Sequence, residues 1–321
     1  MNFHISNTIP RGGPGIFGSR LMQEFIDQGD RFIPHCDGPG IDLNVSIIEG
    51  QRTQNPDALN VLRLDGCYFD SALGMAKCLD QNYPLMQSIK RHDHVVFQSQ
   101  HSKKLCNELA LETDLHNLPP SSVIYNGVPE TFHPSLSKDK DDESYFIASA
   151  SWRRHKRLEE TIAAFTDPRM ANYKLLVLGG TEYKLEDNPY FTEVPKNVLM
   201  MHSLPPHMLP QVYQAAIGMI HLCWLDSCPN SVAEALACGI PVLCSHNGGT
   251  NELVIDNGIV IQLEEDYQYG TMVDLYNPPV VDINTIVEGA LALTKCTRGF
   301  TRPDLSINAT AKQYKRLMSW V

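Results

Sequence analysis

Short apolar runs alternate with amphipathic stretches along nearly the whole chain, and no other feature constrains its fold as tightly. In the first half the runs fall at residues 44–48, 61–64, 94–98 and 123–125. In the second they fall at 145–148, 174–178, 198–201, 218–222, 241–244 and 259–261. The stretches between them have helical periodicity. In RLEETIAAF, Leu158, Ile162 and Phe165 share one face, with Glu159 and Glu160 expected to point away from it. In MLPQVYQAA, Leu209, Val212, Tyr213 and Ala216 do the same. Strand and helix alternating through short connections predict a parallel sheet covered by helices on both faces. A last helix is expected over 307–321, with Ala311, Tyr314 and Leu317 along one side, packing back on the first domain.

A chain of 321 residues is long enough for two such domains. The polar run SLSKDKDDES at 135–144 lacks apolar periodicity and reads as the linker between them. The expected domains are residues 1–136, completed by the helix at 307–321, and residues 144–306. Asp139 and Asp141 form a D-x-D in that run, where a solvated charge cluster is the simpler reading than a metal site. A net charge of -11 argues against nucleic acid as the main partner, because phosphate backbones call for a basic face. No stretch reaches the ~20 apolar residues of a transmembrane helix, and the opening residues lack a signal-peptide layout. The nine cysteines include no C-x-x-C pair and read as mostly buried, reduced residues of a cytoplasmic protein. No histidine pair has metal-ligand spacing.

The densest signal is IHLCWLDSCPNSVAEALACGIPVLCSHNGGTNEL at 220–253. It reads as strand, loop, helix, strand, loop, helix. Asp226 lies just past a strand end, and Asn230 or Ser231 is expected to cap the next helix, with Glu234 in its first turn. Carboxylates so placed are good acceptors for the vicinal hydroxyls of ribose or hexose. The helix N-terminus between them offers N–H groups to a diphosphate. Gly248 and Gly249 let backbone approach a ligand.

This segment resembles the donor-binding core of retaining glycosyltransferase family 4. That family carries two acids with seven residues between them, an EA-x-A-x-G-x-PV run and a GG-x-x-E loop. They correspond here to Asp226 and Glu234, EALACGIPV, and GGTNE. VIYNGV, SWRRHKR, LLVLGG and GGPGIFGSRL resemble further family segments in the family's order. The resemblance implies the GT-B fold: α/β, with two Rossmann-like, doubly wound parallel-sheet domains facing a central cleft. It implies hexosyl transfer from a nucleotide-diphosphate sugar to a saccharide, lipid-linked or protein hydroxyl, with retention of configuration and without a metal or other cofactor. Glu234 would bind the donor ribose, and Asp226 the transferred sugar. Arg154 and Lys156, with Arg153, would hold the diphosphate. Backbone at Asn230 and Ser231 would support the phosphates, and Gly12 and Gly13 would shape the cleft from the other domain.

Three positions depart from the family. Asp226 stands where a Glu is usual. SCPNS replaces a glycine-containing loop. Asp65, in RLDG, occupies the place of the usual first-domain His, and a catalytic or acceptor-orienting role is expected for it. Three alternatives remain open: a non-catalytic sugar-nucleotide-binding module, a sugar-nucleotide epimerase, and a dinucleotide oxidoreductase. The last needs G-x-G-x-x-G after an early strand, which GGPGIFG meets only in part.

Overall fold

The computed structural model describes residues 1–110, 118–135, 145–181 and 194–320. Most of the linker and its D-x-D, at 136–144, lie outside the described residues. The chain forms two compact units. One comprises Met1–Glu130, Gln268–Val273 and Pro303–Val321, and the other Thr131–Tyr267 and Asp274–Arg302.

The first unit runs β1 (Asn2–Ile5), α1 (Gly12–Asp27), β2 (Arg31–Phe32), β3 (Leu43–Ile47), β4 (Leu59–Leu64), α2 (Met75–Arg91), β5 (His94–Phe97), α3 (Gln100–Ala110) and β6 (Ser121–Val123). Its six strands are parallel in the order β2-β1-β3-β4-β5-β6. Alternate residues of the strands serve opposite faces. Val61 and Val96 pack with Phe17, Leu21 and Phe25 of α1. Leu62, Leu64, Val95 and Phe97 pack with Leu85, Met86 and Ile89 of α2 and Cys106 of α3. The Ser99 hydroxyl accepts from the Ser102 amide at 3.0 Å and the Ser102 hydroxyl from the Ser99 amide at 3.1 Å, a reciprocal cap that starts α3.

The second unit runs β7 (Tyr145–Ser149), α4 (Leu158–Ala164), β8 (Lys174–Leu178), β9 (Val198–Met201), α5 (Leu209–Ala215), β10 (Gly218–His221), α6 (Asn230–Ala237), β11 (Val242–Ser245), α7 (Thr250–Val254), β12 (Gly258–Ile261) and α8 (Ile283–Leu293). Its six strands are also parallel, ordered β12-β11-β10-β7-β8-β9. Phe146, Ala148, Leu175, Val177, Ile220 and Leu222 pack against α4 and α8. On the other face α6 lies against β10 and β11, and α7 against β11 and β12. The final helix, α9 (Ile307–Leu317), puts Ile307, Ala311, Tyr314 and Leu317 into the core of the first unit.

Elements β1, β2 and α4 differ from the sequence reading. β1 and β2 carry no apolar run, since NFHI alternates half-buried and buried residues and RF is an edge pair. Glu159 and Glu160 are buried rather than outward, at 1% and 7% exposure. They sit in the first turn of α4, where the charges of Arg157 and Arg154 reach Glu160 and the helix dipole favours acids. Among the described residues no helix is long and apolar enough to cross a membrane.

Candidate functional site

In an open doubly wound sheet, ligands bind outside the carboxyl ends of the strands, where the strand order reverses. In the second unit the chain leaves β7 toward β8 and β9, then returns to lay β10 on the other side of β7. The loops after β7 and β10 therefore flank the switch point. They carry SWRRHKR and Asp226.

These loops meet. Lys156 Nζ donates to Asp226 Oδ2 at 2.9 Å, and His221 Nε2 lies 3.3 Å from the same oxygen. The Trp224 amide donates to the His155 carbonyl at 2.7 Å, tying the two backbones together. Burial works against both charges. Lys156 and His221 nonetheless hold Asp226 well below the usual carboxylate range, and Asp226 holds Lys156 above the usual lysine value. His221 is kept neutral by burial, against the pull of Asp226. Burial also lowers His155 to about 4, with Lys156 adding to the effect. The ammonium and carboxylate stay charged across the neutral range.

The glycine loop closes on the same place. The Gly249 amide donates to the Asp226 carbonyl at 2.7 Å. Gly248 has φ +94°, and a Cβ there would stand 2.8 Å from the Asp226 carbonyl oxygen and 3.0 Å from its nitrogen. Only glycine satisfies both conditions. Arg153 is exposed, and Arg154 is half-buried in a 3-10 turn at Arg154–Lys156.

Helix α6 begins differently from expectation. Pro229 is its N-cap and makes no side-chain cap, so Asn230 and Ser231 are its first two residues rather than the cap. Glu234 is then the fifth residue, beyond the first turn, and 6% exposed. Tyr213, itself fully buried, donates its hydroxyl to Glu234 Oε2 at 3.4 Å.

In the first unit Asp65 immediately follows β4. Arg63, 1% exposed, donates to its carboxylate and also to Gln98 Oε1 at 2.8 Å and Asn126 Oδ1 at 2.7 Å. Gln98 donates in turn to the Asp65 carbonyl at 2.7 Å, so both backbone and side chain of Asp65 are held. The Arg63 guanidinium stacks 4.3 Å from the Phe17 ring centre. Gly12 and Gly13 open α1 and are exposed, with φ +68° at Gly12. The glycines that this segment needs for packing are others. A Cβ at Gly15 would stand 2.1 Å from the Ile9 carbonyl, and one at Gly18 2.5 Å from that of Asn7. The sequence reading missed them, and missed Arg63.

His221, Cys223 and Asp226 offer ligand atoms within 4.8 Å of one another, close enough for one metal ion. The Lys156 ammonium already neutralises that carboxylate, so a divalent ion would have to displace it.

Residues 130–268 match the family model described as glycosyl transferases group 1. No curated protein sequence matches the chain. Among solved structures, a sucrose-phosphate synthase from Thermosynechococcus elongatus is similar with TM-score 0.69 at 14% identity, covering 99% of this chain and 98% of that one. HepE from Anabaena, in complex with UDP-glucose, is similar with TM-score 0.63 at 15% identity, covering 100% and 99%. An α,α-trehalose-phosphate synthase from Burkholderia xenovorans, in complex with glucose-6-phosphate, has TM-score 0.59 at 11% identity, covering 95% and 77%. The two parallel-sheet units and these likenesses are those of the GT-B fold.

Proposed function

We propose that the chain is a glycosyltransferase that moves a hexosyl group from a nucleotide-diphosphate sugar to a hydroxyl acceptor, with retention and without a metal. The observation that carries this reading is the Lys156–Asp226 pair at the switch point of the second unit, closed over by Gly248 and Gly249. It lies within the segment that matches the glycosyl transferases group 1 model. The match to that model and the UDP-glucose held by a structurally similar protein support a nucleotide-sugar donor.

On this reading Lys156 takes the donor diphosphate, and Arg153 and Arg154 add to its charge field. Cations so placed stabilise the negative charge that develops on the leaving phosphate, the task a metal performs elsewhere. Donor binding would then exchange part of the Lys156–Asp226 pairing for contacts with phosphate and sugar. Asp226 accepts from the hydroxyls of the transferred sugar. Asn230 and Ser231 present backbone N–H groups at the start of α6, and Glu234 accepts from the ribose. Asp65 serves the acceptor, where a carboxylate orients a hydroxyl. Because Arg63 donates to that carboxylate, the acceptor proton is assigned to the departing phosphate rather than to Asp65.

The test is turnover. UDP-, GDP- and ADP-hexoses are offered with saccharide, lipid-linked and peptide acceptors, and the anomeric configuration of the product is read by proton coupling. Transfer with retention, undiminished by EDTA, is expected for one donor series. An inverted product would overturn the retaining reading. Donor binding with neither transfer nor hydrolysis would favour a non-catalytic module.

A further inference from the structure

Arg157 stands apart from the basic residues before it. It has φ +54°, a left-handed conformation that a long side chain adopts only under constraint, and its side chain is fully buried. It turns inward, and Nη2 forms an ion pair at 2.7 Å with Glu264 Oε2, whose side chain is 3% exposed. The same guanidinium reaches the carbonyls of Leu222 and Pro279, each at 3.4 Å.

The other oxygen of Glu264 faces the glycine loop. Oε1 accepts from Ser245 Oγ at 3.0 Å and from Asn247 Nδ2 at 3.0 Å. Asn247 also donates to the Glu265 carbonyl at 2.8 Å and accepts from the Tyr267 amide at 3.0 Å. One carboxylate therefore joins the residue after Arg154–Lys156 to the residues before Gly248 and Gly249. Both groups belong to the second unit. Oε1 takes two hydrogen bonds that fix its direction, while Oε2 meets the guanidinium as an ion pair without hydrogen-bond geometry. Groups that hold binding residues from behind tune affinity without touching the ligand.

We propose that Glu264 is a positioning residue for the donor, setting the separation between the basic loop at 153–157 and the glycine loop at 247–249. The proposal rests on the donor-site reading given above. Glu264 lies outside every segment that the sequence reading singled out, and its partner Arg157 lies at the end of one.

The test compares wild type with Glu264→Gln, Glu264→Ala and the double variant Arg157→Met/Glu264→Leu. UDP, GDP and ADP affinities are measured by calorimetry, well below each melting temperature, and the melting temperatures are recorded alongside. In Glu264→Gln the Kd for whichever nucleotide wild type binds is expected to rise roughly 10–100-fold, the scale on which supporting residues around bound metals act. Glu264→Ala strands a buried guanidinium and is expected to melt lower. The double variant removes that stranded charge, so it should recover melting temperature while keeping the weakened Kd. A residue of purely structural importance would move melting temperature alone. Wild-type affinity in both the folded Glu264→Gln and double variants overturns the proposal and leaves the donor-site reading standing. Failure of wild type to bind any of the three nucleotides overturns that reading and the proposal with it.

Discussion

Lys156 and Asp226 face each other with little water around them, at 17% and 18% side-chain exposure. Removing one partner of a buried pair leaves the other charge uncompensated, at about 3–5 kcal/mol where burial is complete. Partial exposure here reduces the expected cost of Lys156→Met to roughly 1–3 kcal/mol by urea denaturation. On the proposed reading kcat falls further than stability accounts for, by about 100-fold or more, as when a single donor to a developing oxyanion is lost. An unchanged kcat would remove Lys156 from the chemistry. Gly248→Ala combines a left-handed φ with a Cβ 2.8 Å from the Asp226 carbonyl. It should lose about 1–3 kcal/mol, the range for a strained backbone position, and weaken nucleotide binding in the same protein. His155 gives a pH signature. Its folded pKa, about 4, lies below its ordinary 6.5. The unfolded chain therefore takes up the proton first, and stability associated with the neutral ring is complete above about pH 6.5 and lost as pH falls toward 4. His92, His94 and His221 shift in the same direction. Melting temperature should fall across that window, and less steeply in His155→Gln. An identical slope in the variant would contradict the burial argument.

Among the elements, the interior strands were the most legible in sequence, because a parallel strand covered on both faces is apolar throughout. LNVLRL in β4 shows the limit of that rule. Its Arg63 is buried among Asp65, Gln98 and Asn126, and an arginine in an apolar run carries no mark of where its partners lie in sequence. Arg63→Met should take a donor from the Asp65 carboxylate and from Asn126 Oδ1, while Gln98 Oε1 keeps Asn126 Nδ2; with Asp65 29% exposed the cost is about 1–3 kcal/mol, with urea unfolding as the measure. A loss below about 1 kcal/mol would show that the network is replaceable. Helix α6 is capped one or two residues before the expected cap at Asn230 or Ser231, because Asn and Ser are good caps in general while Pro229 takes the cap position. Glu234 moved out of the first turn with it. The two acids kept their spacing, but spacing alone did not reveal the tyrosine beside Glu234 or the carboxylate behind the glycine loop. Those contacts join residues far apart in the chain, which no local pattern records.

Across the whole molecule, the chain closes its first unit with its last helix. Ile307, Tyr314 and Leu317 of α9 are each at most 4% exposed. Burying a large apolar side chain stabilises by about 1.5–3 kcal/mol, so deleting residues 303–321 should destabilise the first unit by several kcal/mol. No residue of the second unit's switch point lies in that segment. Nucleotide binding should therefore outlast the loss of cooperative melting in the first unit, as followed by differential scanning calorimetry with and without nucleotide. Loss of both together would mean that the donor site depends on the first unit's fold. On the proposed function, the second unit binds a nucleotide diphosphate through Lys156 without a metal. Its most direct test is the melting temperature of wild type and Lys156→Met across UDP, GDP, ADP and their hexose conjugates, with and without EDTA. A shift is expected for one nucleotide series in wild type, unchanged by EDTA and lost in Lys156→Met. A shift that EDTA abolishes, or one that survives the loss of Lys156, would contradict it.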